Sequence, residues 1–87
     1  MTKISIYNAT RRRIANYMEY IHQTYYDNTV SWDIKFDEIC DYKHEALAVL
    51  NFAYSIGAMS EHTMENMYDK FNKFVNHYRH KMLDKQW

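Results

Sequence analysis

A chain with no proline and a single glycine, Gly57, has few places at which it can turn sharply. A β-rich domain closes its hairpins with residues that tolerate positive φ or pre-set a turn, and so needs several Gly or Pro. Their near absence from 87 residues points to a few long helices with short joints. The expected fold is all-α, a three- to four-helix bundle forming one domain over residues 1–87.

Apolar periodicity places the helices. Ile14, Tyr17, Met18, Ile21 and Tyr25 recur at steps of three or four, with Asn8 or Thr10 available to cap the start. The polar run Asp27-Asn28-Thr29 ends this helix. A second pattern passes through Ile39, Tyr42 or Lys43, Ala46, Leu47, Leu50, Ala53 and Tyr54 and holds the most apolar stretch of the chain, which suggests a central helix. Asp33 and Asp37 are its candidate caps. Met64, Met67, Phe71, Phe74, Tyr78 and Met82 mark a third helix.

That third helix has the clearest start. Ser60 can cap it, and Met59 with Met64 can form a hydrophobic staple. Gly57 suits the left-handed residue that closes a preceding helix. Residues 57–60 therefore predict an antiparallel helical hairpin around Gly57. A different signal runs through Val30, Trp32, Ile34 and Phe36, which alternate at period two, as do Ile4 and Ile6. Residues 3–7 and 30–36 thus also fit a short β-ribbon, although Trp32, Phe36, Ile39 and Cys40 share one helical face.

The chain has four Phe, nine Tyr, two Trp and six Met, and each buried aromatic removes roughly 150–250 Å² from water. The core is expected to draw largely on Tyr, Phe and Met rather than on Leu and Ile. Nine tyrosines exceed what so small a core can hide with satisfied hydroxyls. Tyr20, Tyr25, Tyr26 and Tyr68 are the candidates for exposure, and exposed Tyr near Arg is a common composition of binding hot spots. Trp87 can either cap the core or project into a partner.

Formal charge is zero, with 11 basic and 11 acidic residues, which argues against a general nucleic-acid coat protein. The charge is nevertheless segregated. Lys3 and Arg11-Arg12-Arg13 make the first quarter basic, and residues 27–45 are acidic. Lys70, Lys73, Arg79, Lys81 and Lys85 make the end basic again. In a first helical turn the three arginines would oppose the macrodipole, at a cost of about a few tenths of a kcal/mol each. They are read either as contacts to an acidic partner or nucleic-acid backbone, or as internal partners of the acidic segment. Asp37, Glu38, Asp41 and Glu45 offer an acidic docking face on the second helix.

Catalytic and metal signals are weak. Glu38-x-x-Asp41-x-x-His44 lacks the matching Glu-x-x-His that a di-metal bundle requires. His77 and His80 lack two further ligands. Cys40 sits beside Ile39 on an apolar face, and one glycine cannot build a phosphate-cradling loop. No enzyme activity, metal or cofactor is expected. Neither a membrane span nor a signal peptide is evident, so a cytoplasmic protein is expected.

The Asn-, Lys-, Ile- and Tyr-rich composition is similar to that of proteins from AT-rich Gram-positive bacteria, their phages and mobile elements. That resemblance implies a small non-enzymatic protein-binding module, an inhibitor of anti-defence or anti-CRISPR type that occludes a host protein surface. A helical DNA- or RNA-binding regulator using Arg11–Arg13 with Lys70, Lys73, Arg79 and Lys81 ranks second. A self-associating structural protein, such as a homodimer, ranks third.

Overall fold

The structure, a computed structural model, describes residues 2–85. Trp87 lies outside the described residues. The described chain forms three helices and no strand: α1 (Lys3–Tyr26), α2 (Trp32–Ser55) and α3 (Glu61–Lys85). The expected all-α bundle is therefore three-helical, and a four-helix arrangement is excluded. Short joints at residues 27–31 and 56–60 make α1 and α2 antiparallel, and likewise α2 and α3. Helix α2 packs extensively on both neighbours, and α1 and α3 meet over a smaller area.

The β-ribbon does not form, because both of its segments are helical. Thr2, rather than Asn8 or Thr10, caps α1, with its Oγ1 accepting from the Ser5 amide at 3.1 Å. Residues 3–7 thereby become the first helical turns, with Ile4 largely in solvent and Tyr7 packed on the core. Ser31, rather than Asp33 or Asp37, caps α2 by accepting from the Ile34 amide. Trp32, Phe36 and Ile39 then share the inner face and Ile34 points outward. A helix satisfies its own backbone groups, whereas an isolated two-stranded ribbon is marginal in water.

The joint between α1 and α2 is held by Asp27. Its Oδ1 accepts from the Thr29 amide at 2.9 Å and from the Thr29 hydroxyl at 2.6 Å. These two hydrogen bonds favour the carboxylate and hold its pKa below the ordinary value.

The second joint follows the sequence expectation closely. Gly57 has φ +74°. Its amide donates to the Tyr54 carbonyl at 3.0 Å and the Ala58 amide donates to the Ala53 carbonyl at 2.9 Å, which is a Schellman closure. Ser60 Oγ then accepts from the Thr63 amide at 3.2 Å to begin α3. Lys3 reaches this end of the bundle, its ammonium beside Gly57 at the C-terminus of α2.

The buried core comprises Ile14, Tyr17, Ile21 and Tyr25 from α1, Ile39, Ala46, Leu50 and Ala53 from α2, and Met59, Phe71, Val75, Tyr78 and Met82. Aliphatic residues supply as much of it as Tyr, Phe and Met do, so the expectation of an aromatic and methionine core holds only in part. Each helix contributes one stripe, and the small residues Ala46 and Ala53 let α2 approach both neighbours closely.

Candidate functional site

The two ends of the bundle have different chemistry. At the end formed by the C-terminus of α1, the start of α2 and the C-terminus of α3, aromatic rings pack around Tyr25. Its ring lies 5.5 Å from Trp32 and 5.0 Å from Tyr78, centroid to centroid. Tyr25 is thus buried at 7% exposure, which corrects its expected place on a binding surface.

The residue that organises this cluster is Lys35, 3% exposed. Its ammonium donates to the Tyr25 carbonyl at 2.7 Å and lies 4.1 Å from the centroid of Trp32. That carbonyl is one of those left without a helical partner at the end of α1, where a cation also complements the dipole. The role of Lys35 was not visible in its own segment, because its acceptor lies ten residues away across a joint.

Tyr78 is buried beside Tyr25 and its hydroxyl is hydrogen-bonded to Nδ1 of His22. Burial, with the neighbouring Tyr26 and Tyr25 hydroxyls adding to it, raises the Tyr78 pKa above the ordinary phenol value.

Arg11, Arg12 and Arg13 are all exposed, but they lie well inside α1 and not in its first turn. The macrodipole cost expected of them therefore does not arise. Successive helical residues point about 100° apart, so the run is divided between two grooves. Arg11 borders a hollow between α1 and α3 with Met18, Met67 and Lys70, and its guanidinium lies 5.9 Å from the Tyr7 ring. Arg13 borders the groove between α1 and α2. Among the described residues, none of the three forms an ion pair with the acidic segment at 27–45.

Asp37, Glu38, Asp41 and Glu45 are exposed on the outer side of α2. Glu38 and Glu45 flank Tyr42, which is half-buried against α1 with its ring 6.0 Å from Tyr17 and 5.8 Å from Tyr20. Burial raises the Tyr42 pKa, and the two carboxylates and Tyr20 push it further in the same direction. Tyr20 and Tyr26 are exposed as anticipated, while Tyr68 is only half-exposed and leans on the core.

One outer face brings together four of the eleven candidates, Arg13, Tyr20, Glu38 and Glu45. On α1 it carries Ile6, Ala9, Arg13 and Tyr20; on α2 it carries Glu38, Tyr42, Glu45, Val49 and Phe52. Its upper half is an open apolar groove of about 430 Å³, and Phe52 stands there 60% exposed. Phe52 was readable from the sequence as an outward aromatic, since it falls outside the inner register of Ala46, Leu50 and Ala53.

The remaining cations do not join this face or one another. Arg79 lies over Phe36 at 5.3 Å, and Lys81 lies between Tyr25 and Tyr78 at 5.8 Å from each ring centroid. Cys40 is half-buried. Among the described residues no three His, Cys, Asp or Glu side chains converge as a ligand set, and no helix is long and apolar enough to cross a membrane.

Comparison with known proteins finds no matching family model, no similar curated protein and no matching solved structure.

Proposed function

We propose that this protein is a small non-enzymatic protein-binding module that acts by occlusion, laying the α1/α2 face over a surface of another protein. The observation that carries the reading is the make-up of that face. Exposed Tyr20 and half-buried Tyr42 stand among Glu38, Asp41 and Glu45, next to an apolar groove with Phe52 at its edge. Aromatic anchors beside apolar surface, with charge at the rim, are the make-up of a protein interface. A partner suited to it presents basic and apolar groups together. An inhibitor of phage or mobile-element origin, of the anti-defence or anti-CRISPR type suggested by composition, is the version of this reading that we favour.

Affinity capture from a lysate of an AT-rich Gram-positive bacterium tests it. A stoichiometric protein should be retained by the wild-type chain and by Lys73→Glu, on another face. It should be lost with the combined Glu38→Lys, Asp41→Lys and Glu45→Lys variant. Failure to retain any stoichiometric protein would sink the reading.

A nucleic-acid regulator finds less support. Its cations are distributed among three sides of the bundle, with Arg79 and Lys81 engaged on aromatic rings. Phosphate binding works best with a continuous basic track.

A further inference from the structure

The α1/α2 face is complementary to itself, and we infer that a second copy of this chain docks on it. The inference rests on reading that face as a protein-binding surface, and a second copy on it competes with the foreign partner proposed above.

The register of the two helices carries the argument. They are antiparallel, and Tyr17 lies level with Tyr42 in the ring pair that joins them. Counting outward from that level, and to within one residue, Ile6 stands beside Phe52, Ala9 beside Val49, Arg13 beside Glu45 and Tyr20 beside Glu38. The shared groove of Ile6, Ala9 and Arg13 with Ala48, Val49 and Phe52 has the same register. The outward positions Glu38, Tyr42, Glu45, Val49 and Phe52 on α2 recur at three- and four-residue steps, as do Ile6, Ala9 and Arg13 on α1, with Tyr20 two turns further on. This is the spacing of a helical packing seam.

A second copy related by a two-fold axis parallel to the helices brings α1 of one protomer over α2 of the other, with heights preserved. Ile6 then meets the partner's Phe52, Ala9 meets the partner's Val49, and Arg13 meets the partner's Glu45. Tyr20 places its hydroxyl at the carboxylate of the partner's Glu38. Apolar groups meet apolar groups, and each charge or hydroxyl meets its complement, twice over by symmetry. Arg13 and Glu45 are both exposed, and among the described residues neither is engaged in an ion pair.

The size suits a weak, concentration-dependent dimer. The two seam stretches, Ile6 to Tyr20 and Glu38 to Phe52, are each about 21 Å long and together about 20 Å wide. They present a face of roughly 420 Å², about half the ~800 Å² per partner of standard complexes. The result is a four-helix layer of α1 and α2 from both copies, with each α3 on the outside.

Sedimentation equilibrium over a micromolar to millimolar series tests the inference on the full chain. The mass should rise from 10.7 kDa toward twice that value. Phe52→Glu, Arg13→Glu and Glu45→Arg should each weaken association by on the order of tenfold or more, with helical content unchanged because all three sites are exposed. Combining Arg13→Glu with Glu45→Arg should restore it, whereas Lys73→Glu should have no effect. A wild-type chain that stays at 10.7 kDa throughout overturns the inference. A dimer indifferent to Phe52→Glu and Arg13→Glu overturns it too, since it would use another face. A monomer that still captures a lysate protein through Glu38, Asp41 and Glu45 overturns only the second copy and leaves the binding reading standing.

Discussion

Lys35 combines a charge, an almost complete loss of solvent and a short bond to a helix-terminal carbonyl, and each makes the others tolerable. A buried ammonium without partners would be costly. Here the Tyr25 carbonyl accepts a hydrogen bond from the ammonium and the Trp32 face stabilises part of the remaining charge. Lys35→Met keeps most of the stem but removes the donor. Unfolding in urea should then show a loss of about 1–3 kcal/mol, and an unchanged midpoint would mean that the carbonyl finds water instead. Tyr78 gives a pH signature at the same end. Its folded pKa is raised above the ordinary value of 10.0, so the folded state holds the proton more tightly than the unfolded state does. The associated stability is complete below about pH 10 and falls as pH rises through the folded pKa. Thermal unfolding from pH 8 to 11 should therefore show a plateau and then a decline. Tyr78→Phe should start lower, having lost the His22 hydrogen bond, and decline less steeply. An identical slope in both proteins would assign the effect to Tyr42 or to other groups.

Among the elements, the joints show best what local sequence can specify. Ser60 and Gly57 act within their own few residues, and both fulfil the roles their chemistry suggests. At Gly57 an added Cβ would sit 3.3 Å from the flexible end of Lys3, so space alone permits alanine. The positive φ does not, and Gly57→Ala should lower stability by about 1–2 kcal/mol in chemical denaturation. A neutral result would show that the α2–α3 joint can relax into another closure. The starts of α1 and α2 were less legible. Several cap-capable residues stood near each, and the period-two runs at 3–7 and 30–36 also fitted a strand pattern. Thr2 and Ser31 prevailed because helices begun there bury Tyr7, Trp32 and Phe36 against the core. That gain comes from tertiary packing, so no local signal could rank the caps.

At the scale of the molecule, net neutrality conceals a consistent arrangement. The arginine run and the acidic segment lie on adjacent antiparallel helices, yet among the described residues they do not neutralise each other. Folding places Arg13 and Glu45 at one height on one outer face. Unpaired opposite charges on a shared face invite a complementary surface, and the sedimentation series decides whether a second copy supplies it. Arg11 and Lys70 share the opposite groove with Met18 and Met67. The basic residues are therefore not a single functional unit, although adjacency in sequence suggested one.

The sequence by itself determined that the chain is helical and where α2 turns into α3. It also specified which stripe of each helix turns inward, since helical period, capping chemistry and the left-handed tolerance of glycine act over a few residues. Only the tertiary structure decided that Lys35 closes α1 and that the arginine run is split between two grooves. It also decided that Phe52 is left at the edge of an open face. Those outcomes depend on which helix lies across from each residue and at what height, and that is set by packing between segments far apart in the chain.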